Sequence, residues 1–246
     1  MNHIIMDTLR VFEPPYPKKR IGRDRDGGYI ISEVPGGYDC FISGGISNDI
    51  SFEQGFLNVY TGLPCYAYDG TISGLPVADP RITFIKKNLG ATESDTLTNL
   101  HERMEPFANI FMKLDIEGHE FRLLPTLLDR HMQRVKQLVI EIHSPGDIQL
   151  HPTYFKGLND ITHPVMFELL RRLNETHTLV HLHPNNGCAT HYVDDILVPN
   201  VFECTYVRND MVAERRLNKE TLPTSLDRRN LPQKPEIVLK GFPWSA

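Results

Sequence analysis

Short apolar runs alternate with longer amphipathic stretches along most of the chain. Seven runs, at residues 39–43, 65–68, 82–86, 110–114, 137–142, 179–183 and 202–207, are apolar or β-branched and bounded by Gly, Pro, Asp or Asn. That pattern predicts buried strands. The stretches between them carry helix signals. Residues 51–60 open on Ser51, and residues 94–104 open on Ser94 and Asp95, side chains suited to cap a first turn. Residues 119–131 place Phe121, Leu124, Leu127 and Leu128 at helical spacing. Residues 164–173 start on proline, as first turns often do, and carry Phe167, Leu169, Leu170 and Leu173. The alternation predicts β-α-β units, hence an α/β fold with a mainly parallel sheet covered by helices on both faces.

The two ends break the pattern. Residues 1–38 are rich in Pro, Gly and charge and contain RIGRDRDGGYII. This reads as an entry arm with one short strand after a tight Asp26-Gly27-Gly28 turn, for which a hairpin is the plain interpretation. Residues 208–246 carry many Arg, Lys, Asn and Pro, and read as an irregular surface tail with one late strand at EIVLKGFPW. No repeat or low-complexity tract divides the chain, so 1–246 is expected to be a single domain.

Composition narrows the function classes. Of 246 residues, 40% are hydrophobic, enough for a sizeable core and too many for a mainly disordered chain. The net charge of −5 argues against nucleic acid as a partner, because phosphate binding usually needs a basic face. No apolar run reaches the roughly 18 residues of a membrane span. The first residues lack the basic and apolar regions of a secretory signal. The four cysteines form no CxxC pair, which predicts buried free thiols in a reducing compartment and a cytoplasmic location. Eleven histidines, nine of them between His119 and His191, point to metal or acid–base chemistry.

Candidate chemistry gathers where strands end. The first predicted strand runs into Ser43, Gly44 and Gly45, then a polar turn with Asn48 and Asp49, then a helix. Open parallel sheets bind ligands at such ends, and glycines let backbone approach them closely. A helix N-terminus there favours negative charge. The spacing is neither GxGxxG nor a P-loop, and a tight turn with no ligand would use the same residues. The second strand ends on Asp69, an acid placed to accept two ribose hydroxyls or to serve as a turn aspartate before glycine. Asn88 follows the third strand, as a turn residue or a cofactor contact. After the fourth, Asp115 and Glu117 alternate onto one side, where they could share a proton, bind a metal or hold a cationic group. Glu141 and His143 share one side of the fifth, and His181 and His183 one face of the sixth, followed by Asn185 and Asn186. A strand-end histidine takes a proton near neutral pH, and with a carboxylate it can hold a divalent metal. No HExxH or similar ligand signature is present.

The ordered series DGGY, SGGISNDISFE, YAYDG, FMKLDIEGHEF, LVIEIH and LHPNN resembles the FkbM-like class I S-adenosylmethionine-dependent methyltransferases, in particular the branch with an N-terminal DGGY segment. The likeness runs from about residue 20 to 208, and KLDIEGHE is its most specific motif. It implies a Rossmann-like class I methyltransferase fold, with a seven-stranded, mostly parallel sheet that has one antiparallel strand, and helices on both faces. It implies S-adenosylmethionine as cofactor, with Gly44 and Gly45 in the cofactor loop and contacts from Ser43, Asn48 and Asp49. Asp69 would meet the ribose, Asn88 the neighbouring edge, and Asp115, Glu117 and Gly118 the reaction centre. The glycine signature is reduced to GGISND. Members commonly methylate hydroxyls of sugars or other small molecules, so a glycan acceptor is expected, with magnesium or manganese as an optional ion on Asp115 and Glu141.

Methylating an alcohol requires removing its proton as the C–O bond forms. His143 is the expected base, Asp115 and Glu117 orient it and the acceptor, and Glu141, His183, Asn185 and Asn186 face the acceptor. Two other classes stay open: a methyltransferase-like binding module without turnover, and a glycosyltransferase in which Asp115 and Glu117 hold a metal for a nucleotide sugar.

Overall fold

The computed structural model describes residues 7–127 and 130–246. In chain order its strands are β1 (Lys18–Ile21), β2 (Tyr29–Ser32), β3 (Cys40–Gly44), β4 (Cys65–Tyr68), β5 (Ile82–Ile85), β6 (Asn88–Leu89), β7 (Leu97–Thr98), β8 (Ile110–Leu114), β9 (Val135–His143), β10 (His177–Pro184), β11 (Thr190–Val193), β12 (Ile196–Pro199) and β13 (Val201–Arg208). The helices are α1 (Ser51–Val59), α2 (His101–Met104), α3 (Glu120–Leu127), α4 (Pro145–Leu150) and α5 (His163–Thr176). All seven predicted strands form and join one sheet, in the order β10-β13-β9-β8-β3-β4-β5. Of the predicted helix 119–131, Leu128 lies outside the described residues.

The sheet is mixed, which corrects the expectation of a mostly parallel Rossmann-like methyltransferase sheet with helices on both faces. β9, β8, β3, β4 and β5 pair in parallel. β13 pairs antiparallel with both β9 and β10. Parallel neighbours need a long crossover, usually a helix. Residues 185–200 instead form the β11–β12 hairpin, so the chain re-enters the sheet antiparallel. Helical cover is also thin. The β4–β5 connection contains Gly70, Gly74, Pro76 and Pro80, which oppose a helix, and none forms there. The predicted helix at 94–104 shrinks to the four residues of α2, because Leu97 and Thr98 pair with Asn88 and Leu89.

The entry arm holds two strands rather than one. β1 and β2 make an antiparallel hairpin around the Asp26-Gly27-Gly28 turn. This hairpin lies over the β9–β13 half of the sheet. The Thr205 hydroxyl donates to the Ile30 carbonyl, and Gln137 exchanges hydrogen bonds with the Ser32 backbone.

Period-2 alternation explains the core. Along β8, Ile110, Met112 and Leu114 face one layer, with Phe121, Leu124 and Leu170 from α3 and α5. Phe111 faces the other, where it packs on Phe56 with ring centroids 4.0 Å apart, beside Phe41, Phe52 and Tyr38. The tail is no surface segment: Leu222, Leu239 and Trp244 are buried in the first layer. Its predicted late strand reduces to an isolated Leu222–Leu239 bridge. All four cysteines are free thiols, three of them buried. Among the described residues no helix is long and apolar enough to cross a membrane.

His177, at the start of β10, is fully buried, and its Nε2 meets the Val135 carbonyl at 2.8 Å. Burial holds its imidazole down at about 4. The unfolded chain takes up this proton near pH 6.5, whereas the folded one does so only near 4. The depressed value therefore stabilises fully above pH 6.5, and stability falls as pH drops through that window. The full loss from this group approaches about 3 kcal/mol. Urea unfolding at pH 7.5 and 4.5 checks this: His177→Gln should lose clearly less stability between the two than the parent chain. Equal losses would remove His177 as the cause.

Candidate functional site

From β3 the chain passes to β4 and β5 on one side, then returns to β8 on the other. The crevice for a ligand lies outside the strand C-termini where connections diverge in this way. A cavity of about 610 Å³ opens there, a size suited to a small-molecule ligand.

Gly45 shapes its floor. The residue sits at φ +78°, and an added Cβ would fall 1.7 Å from the Asp115 carbonyl oxygen. The Gly45 N–H donates to the Tyr68 carbonyl, and the Asp115 N–H to the Gly44 carbonyl, both at 3.0 Å. Lys113 Nζ donates to the Gly45 carbonyl at 2.7 Å and lies 4.0 Å from Asp115. These contacts tie the ends of β3, β4 and β8 together.

Asp69 closes the loop above. One carboxylate oxygen accepts the N–H groups of Ile46 and Ser47, and the other accepts the N–H and hydroxyl of Thr71. Burial works against this charge, but the four donors outweigh it and hold the carboxyl below its usual range. Its lone pairs are thus committed to the protein. Asp49 accepts from the backbone and hydroxyl of Ser51 at the start of α1 and pairs with Arg23 at 2.9 Å. Asn88 accepts the Gly70 N–H. Tyr68, Leu89, Leu97 and Ile116 form an apolar slot in the wall.

The carboxylate side is denser. Tyr29 donates to Asp115 Oδ2 at 2.8 Å. Glu141 accepts from Asn185 at 3.0 Å, and burial, with Asp115 and Glu203 nearby, raises its carboxyl well above the usual range. His143 Nδ1 lies 2.9 Å from Asp147, and Nε2 lies 3.2 Å from Glu117. The His143 N–H donates to Glu120. Burial alone would lower this imidazole, but the bond to Asp147 and the charges of Glu120 and Glu117 overcome it and hold it up at about 9. Burial raises Glu117, and raises Glu120 to about 7. One oxygen each from Asp115 and Glu117 and one ring nitrogen of His143 lie within 4.8 Å of one another, a spacing that can hold a metal ion.

Of the residues singled out from sequence, Gly45, Asn48, Asp49, Asp69, Asn88, Asp115, Glu117, Glu141, His143 and Asn185 line this one cavity. Four do not. Gly44 lies beneath it in β3, and the Ser43 hydroxyl donates to buried Glu53. His183 and Asn186 are corrected from acceptor contacts to anchors for the tail. His183 bonds Glu203 at 3.0 Å and faces Glu236, and Asn186 donates to the carbonyls of Leu231 and Lys234. His181 likewise bonds Asp227 at 2.8 Å. Sequence reasoning missed Tyr29, Lys113, Asp147 and Tyr154. Asp147, four residues after His143, and Lys113, two before Asp115, had legible spacing. Tyr154 had no signal in the sequence.

No family model matches the chain, and neither does any curated protein. A solved structure described as "Putative hemolysin from Streptococcus thermophilus" is similar at 12% identity with a TM-score of 0.37, over 80% of this chain and 63% of that one. The chain thus spans less than two thirds of that protein's length, and so slight a likeness bears on neither fold nor function.

Proposed function

We propose that the chain is an S-adenosylmethionine-dependent methyltransferase that methylates a hydroxyl of a sugar or glycan. The acidic lining of the cavity carries this reading. Arg23 is paired with Asp49 and Lys113 with the Gly45 carbonyl, while Asp69, Asp115 and Glu117 outnumber the remaining basic side chain of the lining, Lys156. Such a lining favours a cationic guest, which a sulfonium nucleoside is, and opposes the diphosphate of a nucleotide sugar. The apolar slot suits a flat ring. In this reading Asp69 would meet the ribose, whose hydroxyl would replace that of Thr71 as donor.

The bound cofactor would supply an electrophilic methyl group. The protein's task is to hold the acceptor oxygen in line and to take its proton. His143 presents Nε2 to the cavity while Asp147 fixes the other ring nitrogen. With carboxylates alone around it the ring keeps a proton at neutral pH. A cationic guest opposes that second positive charge and returns the ring to its neutral, proton-accepting form. Tyr154, 66% exposed at the mouth, offers an aromatic face for a sugar ring.

The full hydrogen-bond complement of Asp69 favours a second reading, a methyltransferase-like binding module without turnover. Calorimetry with S-adenosylhomocysteine, followed by a methyl-transfer screen over a sugar panel, decides. Micromolar binding with turnover on at least one sugar is expected. Binding without turnover on any sugar would favour the module, and no binding at millimolar ligand would sink both readings.

A further inference from the structure

Three side chains at the end of β8 and β9 aim donor atoms at one point. Ligand atoms around a single divalent ion stand at about 2.0–2.4 Å from it, hence no more than about 4–5 Å from each other. One oxygen each from Asp115 and Glu117 and one ring nitrogen of His143 meet that limit, all lying within 4.8 Å of one another, and Nε2 is the nitrogen that faces Glu117, at 3.2 Å.

A pair of acids would not define a site by itself. The second observation is the ring. His143 is 8% exposed, and its buried Nε2 makes no hydrogen bond of acceptable geometry among the described residues, although Glu117 stands 3.2 Å away. A buried ring nitrogen without such a partner is costly unless something binds it. Its other nitrogen is held by Asp147, which is 5% exposed. This is the carboxylate–histidine arrangement that fixes the tautomer and direction of a metal-binding imidazole. Asp115 is steadied in the same way, by the Tyr29 hydroxyl on Oδ2. Among the other buried histidines, Asp227 takes Nε2 of His181, while His183 Nε2 also lacks a hydrogen bond but faces Glu236 at 3.5 Å beneath the tail and does not line the cavity.

We infer that Asp115, Glu117 and His143 bind a divalent first-row cation at the floor of the cavity, with Asp147 as the positioning residue. Glu141, the ligand expected with Asp115 from sequence, lies against Asp115 and accepts from Asn185, and is not one of the three clustered donors. Two carboxylates and one imidazole favour Mn2+ or Zn2+ over Ca2+, which takes oxygen donors, and leave coordination positions for water or a hydroxyl. The ion's role rests on the proposed methyl transfer, where it would lower the pKa of a bound hydroxyl and let that proton pass to solvent water, with the His143 ring as ligand in place of base. Its binding does not depend on that reading.

The test is a Mn2+ titration of the full chain, read as loss of the free-ion paramagnetic resonance signal, with no cofactor or acceptor present. One site filling at micromolar Mn2+ is expected, with Zn2+ displacing the ion. Asp115→Asn, Glu117→Gln and His143→Gln should each weaken binding at least tenfold, and Asp147→Asn about tenfold. Glu214→Gln, a surface change away from the cavity, should leave it unchanged. Glu117 is exposed, so Glu117→Gln keeps the test open if a buried variant fails to fold. No binding at millimolar Mn2+, or binding that Asp115→Asn and Glu117→Gln both leave intact, would overturn the site. S-adenosylhomocysteine calorimetry on the same samples separates the two claims. Mn2+ bound without the nucleoside would sink the cofactor reading and uphold the metal site, and the reverse would sink the metal site alone.

Discussion

Gly45→Ala is expected to cost at least about 3 kcal/mol, more than an ordinary glycine-to-alanine change at a positive φ. The backbone term alone is about 1–2 kcal/mol. The rest comes from space: a Cβ here falls 1.7 Å from the Asp115 carbonyl oxygen, and that oxygen is backbone, so β3 and β8 must separate for it to fit. Separation would strain the bonds from Gly45 to Tyr68 and from Asp115 to Gly44, which hold the cavity floor. For a domain of this size, the loss should lower Tm by roughly 6–12 °C. Nucleoside binding should fall with it. Gly37→Ala is the control, since Gly37 also has positive φ, at +61°, but nothing lies within 4 Å of its added Cβ. Thermal and urea unfolding of both variants check the argument. If the two variants lose the same stability, the steric account is wrong.

His143→Gln should lower methyl transfer by roughly 10²–10⁴-fold, the usual range for losing a positioned proton acceptor. Glutamine keeps a polar group opposite Asp147, which limits damage to the fold. Affinity for S-adenosylhomocysteine should change little, because His143 makes no hydrogen bond to the Asp69 loop. Whether the ring takes the proton itself or holds an ion, turnover depends on it. Single-turnover rates and calorimetry measure the two effects separately. Unchanged turnover would remove His143 from the mechanism, and equal losses in turnover and binding would reduce it to a structural part.

Much of the site was legible because it obeys local rules. Strand ends announce themselves as apolar runs stopped by Gly or Asp, and period 2 sends Asp115 with Glu117, and Glu141 with His143, to a common side. Those pairs do meet in the cavity. The same rule placed His181 and His183 on one face but could not say what covers it. The tail covers it, through Asp227, Glu236 and the carbonyls that Asn186 binds. Partners more than 40 positions apart leave no mark on local periodicity. The misjudged helix at 94–104 has a similar cause, a two-residue pairing with Asn88 and Leu89 that overrode a weak capping signal.

The sequence by itself determined which seven segments become the main strands, which residues stand at their ends, and that the thiols are free. Hydrophobic period and turn residues act over a few positions, so they can be read in isolation. Only the tertiary structure decided the sense of β13, the hairpin in place of a covering helix, and the tail's entry into the core. Those depend on what a distant segment leaves uncovered. Only the structure, too, separated His143, poised over the cavity, from His181 and His183, which hold the tail, because burial and a carboxylate partner, not residue type, assign an imidazole its task.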